Sequence, residues 1–114
     1  MAANSEIILS SNTHPGDSTV ETVTGEKFKG DGYYGRSDGI HTVQYSISGF
    51  TGIVAIQGTL AVNPVEADWF TIISDGHDTV TKVIASNFTG NYVWVRAVVS
   101  SWTDGTVSSV LLNH

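Results

Sequence analysis

Few side chains in this sequence have both the type and the spacing to do chemistry. Four histidines lie far apart, at His14, His41, His77 and His114, among many serines. A Ser–His–acid relay needs its serine on a strained turn, and no Gly-x-Ser-x-Gly segment occurs. His41 falls in the apolar register of its segment, where a packed, hydrogen-bonded ring is expected rather than a general base. Asp75-Gly76-His77-Asp78 gathers two carboxylates and an imidazole. It lacks the frame of a calcium loop, and one histidine with carboxylates is a thin basis for zinc, so it reads as a hairpin turn. Glu66 and Asp68 share one loop, and spacing gives them no acid–base roles. The expectation is a chain with no catalytic residue, no metal and no cofactor, and not an enzyme.

Recognition chemistry is better represented. In residues 91–100, Val93, Val95, Ala97 and Val99 alternate with Tyr92, Trp94, Arg96 and Val98. The first set is an inward face. The second is too aromatic for an ordinary solvated one, and Tyr, Trp and Arg are the types enriched where proteins bind. Arg96 can stack on Trp94 or a neighbouring ring. The segment 30–39 reads Gly-Asp-Gly-Tyr-Tyr-Gly-Arg-Ser-Asp-Gly, the composition of an adaptable recognition loop. Two uses follow. Tyr92, Trp94 and Arg96, with Tyr33, Tyr34 and Arg36, form a candidate protein interface. Trp69, Trp94 and Trp102 form a candidate carbohydrate-stacking platform. A third arrangement, in which a loop or the N-terminal segment of the same chain covers the Tyr92/Trp94/Arg96 face, stays open.

These groups must be carried by strands. Period-two alternation recurs and helical periodicity does not. The clearest strand is 40–48, with His41, Val43, Tyr45 and Ile47 on one face. Next is 53–61, with Val54, Ile56 and Leu60 on one side. Further strands are expected at 68–74 (inward Phe70 and Ile72), 79–85, 91–100 and 106–112, with weaker ones at 6–10 and 19–28. Asp38-Gly39, Asp75-Gly76, Gly90-Asn91 and Asp104-Gly105 supply turn chemistry between them. Helix is expected only as a turn near residues 64–67. Phe50 and Phe88 each stand two residues before a glycine, like aromatics tucked into the core edge. The expected fold is all-β, a single-domain antiparallel β-sandwich or jelly roll. Residues 1–30 would be an N-terminal strand or arm of that domain, and 31–114 its sandwich core.

Bulk properties narrow the class further. At 114 residues the chain suits one domain, and the absence of cysteine excludes disulfides and thiolate metal sites. Charged residues make up only 14%, and the net charge is −6 with five Lys and Arg in all. Phosphate binding depends on such cations, so no nucleic-acid partner is expected. No apolar run approaches the roughly 20 residues of a membrane-spanning helix, so no membrane partner is expected. The N-terminus lacks the basic and apolar regions of a signal peptide, which points to a soluble protein made in the cytoplasm.

Several segments together carry a resemblance. They are Gly32-Tyr33-Tyr34-Gly35, Asp38-Gly39-Ile40-His41-Thr42-Val43, Gly58-Thr59-Leu60, Ala67-Asp68-Trp69-Phe70 and the run from Thr89 to Ala97. Their order resembles the small β-sandwich virion structural proteins of tailed bacteriophages, those of cyanobacteria included. The resemblance implies a non-enzymatic component of the virion. A capsid decoration (cement) protein bound to neighbouring capsid subunits is one form, and a tail, collar or fibre subunit is another. Its partners would be phage capsid or tail proteins and further copies of itself, as in a closed trimer. Jelly-roll carbohydrate-binding modules share such patterns, so a host-recognition module that binds glycans is the alternative.

Overall fold

The computed structural model describes residues 6–16, 19–34 and 39–113. Along them run the strands β1 (Glu6–Leu9), β2 (Asn12–Thr13), β3 (Glu21–Thr24), β4 (Phe28–Lys29), β5 (Ile40–Thr59), β6 (Phe70–Thr89), β7 (Trp94–Val107) and β8 (Val110–Asn113). One helical turn, α1 (Asp31–Tyr34), and a 3-10 turn at Glu66–Asp68 complete the elements. The fold is all-β and antiparallel. β5 is its axis, paired with β6 along one edge. Its other edge meets β8 at Thr42–Gln44 and then β7 from Ile47 to Thr59. β1 pairs with β8, while β2, β3 and β4 follow one another along the outer edge of β7.

Long alternating strands become a sandwich because they are bulged. His41, Val43, Tyr45 and Ile47 are at most 3% exposed, as odd-numbered inward positions of β5. At Gly49, whose φ is +55°, the register shifts, and the inward positions become Phe50, Val54 and Ile56. β7 does the same. Val95, Ala97 and Val99 face inward, the register slips beside Ser101 (φ +50°), and Trp102 is then the buried residue. A bulge bends its strand and increases its twist. The sheet therefore curls until its two halves bury their inner faces in one core, which Ile8, Val107, Val110 and Leu112 complete. The smallest dimension of the molecule, 18 Å, suits two layers about 10 Å apart with their outer side chains.

Several expectations change accordingly. Segments 40–48 and 53–61 merge into one strand that ends at Thr59, and 68–74 and 79–85 into one that starts at Phe70. Asp75-Gly76 is not a turn but pairs with Val54 and Ile53 in mid-strand. Of the four turn glycines, Gly39 and Gly105 take positive φ, whereas Gly76 and Gly90 do not; Asp38 lies outside the described residues. Leu60, beyond the end of β5, is 65% exposed, and Phe70, at the open start of β6, is 46% exposed, so neither is core. Phe50 and Phe88 are buried as expected, but within strands rather than at corners. The short α1 was not expected. The helical turn near 64–67 appears as the 3-10 turn.

His41 is fully buried and stacks on Phe88, with ring centroids 4.7 Å apart and planes 4° from parallel. The Asp31 backbone N–H donates to its Nε2 (3.2 Å), so the tautomer with its proton on Nδ1 donates to the Gly39 carbonyl (2.9 Å). The ring thus fastens the two ends of the 31–39 loop to the sheet.

Gly105 offers a sharp test of the bulge. Its φ is +89°, and a Cβ there would overlap the Gly49 carbonyl and lie 2.6 Å from Phe50 Cα. Gly105→Ala is expected to lose about 2–3 kcal/mol in urea unfolding, from left-handed strain and the clash together.

A second test concerns pH. Burial lowers the pKa of His77, a tendency that Asp75 opposes and Lys82 reinforces. Its Nε2 is 3.1 Å from the Tyr45 hydroxyl, which burial above all, and then Asp75, keeps protonated far into alkali. A histidine with a lowered folded pKa takes up a proton more readily in the unfolded chain. Its contribution is therefore complete above the ordinary value of 6.5 and is lost as pH falls through the lower folded value. Thermal midpoints should decline modestly on acidification across that window, and His77→Gln should remove that part of the slope.

Candidate functional site

β7 opens at Trp94 on the outer surface of the sandwich, opposite Thr59 of β5 on one side and Lys29 of β4 on the other. The Trp94 Nε1–H donates to the Val62 carbonyl at 2.9 Å, which fixes the indole by its polar edge. The turn α1 brings up Tyr33. Its approach is set by backbone bonds from Gly30 N–H to the Val93 carbonyl and from Gly32 N–H to the Tyr92 carbonyl, both 3.0 Å. A Cβ at Gly30 would overlap the Tyr92 carbonyl, and one at Gly32 that of Asn91, so only glycine permits this packing. The result is a Tyr33–Trp94 pair with ring centroids 5.1 Å apart and a 55° tilt. Lys27 Nζ lies 4.8 Å from the Trp94 ring centroid and Lys29 Nζ 4.7 Å from that of Tyr33.

Two residues along β7, on the same face, is Arg96. Its Nε–H donates to Gln57 Oε1 at 2.8 Å, and its two Nη groups hold both Glu66 oxygens at 3.1 and 2.8 Å. The guanidinium carbon sits 4.3 Å from the Trp69 ring centroid. Arg96 is thereby only 7% exposed, although it faces outward. Glu66 remains 81% exposed, so the ion pair itself adds little stability. Its effect is positional: it straps the 60–69 loop across the sheet, with the Trp69 ring against the Arg96 guanidinium. The Arg96 hydrogen bonds and charge hold the Glu66 carboxyl below its ordinary range, which favours the charged form that the strap requires.

Of the residues singled out in sequence, Tyr33, Trp94, Arg96 and Trp69 come together on one face. Two do not join them. Tyr92 precedes β7 and turns inward, its ring 6.1 Å from Phe88 and 5.6 Å from Phe70, packed over Gly58 and Gly90. Trp102 is 1% exposed, edge-on to His14 at 5.4 Å, and presents no face to a ligand. Arg36 and the Tyr34 side chain lie outside the described residues. The arrangement in which the chain covers part of its own face is the observed one for Arg96. Lys27, Lys29 and Gln57 were missed, and Glu66 was noted only as a loop carboxylate without a role. Only the alternation of Lys27 and Lys29 hinted at a shared side.

Chemically, the arrangement is suited to contact with a ligand. Partly open rings, with amide, hydroxyl and cationic groups at their edges, match a ligand with apolar faces and a polar rim. Among the described residues, no group of three or more His, Asp and Glu side chains is placed to hold a metal ion.

No protein-family model matches the chain, and no curated protein does. Solved structures give a likeness of fold. A family 29 carbohydrate-binding module from Piromyces equi superposes with a TM-score of 0.53 at 10% identity, covering 100% of this chain and 93% of its own. A second is a Clostridium thermocellum xylanase 10B structure of CBM22-1 and GH10 modules, complexed with xylohexaose. It gives a TM-score of 0.46 at 10% identity, over 80% of this chain and 19% of that one, which is too slight to bear on the fold. The first likeness places the chain among β-sandwiches.

Proposed function

We propose that this chain is a non-catalytic carbohydrate-binding β-sandwich module, with Tyr33, Trp94 and Trp69 as its sugar platform. The observation that carries this reading is the Tyr33–Trp94 pair, fixed by backbone bonds yet open to solvent, with Tyr33 45% exposed. Pyranose rings present flat C–H faces and hydroxyl edges. An indole with its N–H already bonded to Val62 offers its face rather than its donor, which suits stacking. Gln57, Arg96 and the lysines surround the rings with groups that pair with hydroxyl edges. The fold shared with the family 29 module supports the same reading.

The test is affinity electrophoresis and intrinsic fluorescence against a panel of neutral and acidic soluble polysaccharides. A saturable fluorescence change and retardation with at least one class is expected, reported by Trp94 and Trp69 because Trp102 is shielded. Absence of binding across the whole panel would overturn the reading.

A second reading, a subunit of a virion or other assembly, draws on a different observation. Leu60, Val62 and Val65 are each at least 64% exposed, with Phe70 close by in sequence at 46%. Light scattering separates the two: a stable trimer, or saturable uptake onto capsids lacking the protein, favours assembly, and a monomer that ignores capsids counts against it.

A further inference from the structure

We infer that the ligand of this face is an acidic polysaccharide, a glycan bearing anionic groups along its chain. The inference rests on the platform reading above and adds a substrate class to it. The chain has eleven Asp and Glu against five Lys and Arg. Its few cations are nevertheless gathered here. Lys27, Lys29 and Arg96, three of the five, each lie over one ring of the platform.

Only Arg96 is explained by the fold, because it is buried and holds the 60–69 loop through Glu66. Lys27 and Lys29 are exposed, and among the described residues neither has a carboxylate within ion-pair distance. Each ammonium group lies across an aromatic face instead of reaching into solvent. A neutral sugar stacking on that face has to displace the cation and offers no charge in return. An anionic sugar can displace it from the ring and keep it as a partner for its own carboxylate or sulfate, so the contact is replaced rather than lost. The lysines lie over two adjacent rings, those of Trp94 and Tyr33, whose centroids are 5.1 Å apart. That spacing serves charges that recur along a polymer.

The closing experiment compares polygalacturonate, dextran sulfate and neutral glucomannan by calorimetric titration. It uses the native chain, Lys27→Gln/Lys29→Gln, Lys27→Arg/Lys29→Arg and Trp94→Phe. One acidic polymer is expected to bind at least about tenfold more tightly than glucomannan, and which of the two does so separates carboxylate from sulfate. The Gln pair should lose that margin, whereas the Arg pair should keep it. The logarithm of affinity should fall with the logarithm of salt concentration at a slope of about −1 to −2, as for two neutralised charges.

Glucomannan bound as tightly as either acidic polymer, with the Gln pair unchanged, would overturn the inference and leave the platform standing. Acidic binding that ignores both Trp94→Phe and the Gln pair would mark simple ion exchange and overturn it also. Failure of all three polymers would remove the platform reading and this inference together. Both lysines are solvent-exposed, so these variants are expected to fold.

Discussion

Trp102→Ala is expected to destabilise the protein by about 3–5 kcal/mol in urea unfolding, the range for removing a large aromatic from a packed core. The indole is 1% exposed, sits 6.3 Å from Phe50 and 5.4 Å from His14 between ring centroids, and donates Nε1–H to the Asp104 carbonyl at 3.0 Å. Alanine leaves a cavity and removes the hydrogen bond to Asp104 at the bend of β7. A domain of this size has about 5–15 kcal/mol in total, so the variant should be marginal near physiological temperature. Its thermal midpoint should fall by at least about 10 °C. Trp102→Phe, which fills most of the space but loses the hydrogen bond, should lie between. A midpoint within a degree or two of the native value would mean that the bulge beside Ser101 does not turn this residue inward.

That bulge also explains where the sequence could be read and where it could not. Simple alternation from Trp94 and Arg96 puts Trp102 on the outer face, and on that count all three tryptophans could serve one platform. The extra residue near Ser101 reverses the parity, and nothing in Ser100-Ser101 announces it. The same ambiguity hid the length of β5 and β6. Gly49, Gly52 and Asp75-Gly76 belong to turn chemistry, yet here they occupy bulges and mid-strand positions of a curled sheet. Where no bulge intervenes, alternation was sufficient, as in the burial of His41, Val43, Tyr45 and Ile47. The candidate site was legible in part. Trp94 and Tyr33 could be found from residue type and composition. The pairing of Arg96 with Glu66 and Trp69 could not, because it joins positions 27 and 30 residues apart through a loop with no periodicity.

Trp94→Ala should show the opposite behaviour to Trp102→Ala. The fold loses a half-buried ring and one hydrogen bond to Val62, a cost of about 1–2 kcal/mol. Binding to the preferred polysaccharide should fall by at least about thirtyfold, since a central aromatic anchor contributes about 2 kcal/mol or more. The contrast identifies the platform better than either variant alone. A tryptophan that only packs changes stability, and its folded fraction binds as before. A tryptophan that only stacks changes affinity and leaves most of the stability in place. Titrations below 15 °C, where the Trp102→Ala protein should retain a folded population, make the comparison direct. Arg96→Met places Trp69 in the same frame. It removes the hydrogen bonds to Glu66 and Gln57 while keeping much of the apolar stem. If Trp69 contributes to the platform through that strap, affinity should fall by an intermediate amount, and hydrogen exchange at the amides of Asp68 and Trp69 should quicken. Unchanged affinity in both Trp94→Ala and Arg96→Met would move the binding surface off this face altogether. The exposed Leu60, Val62 and Val65 of the neighbouring loop would then be the next residues to alter.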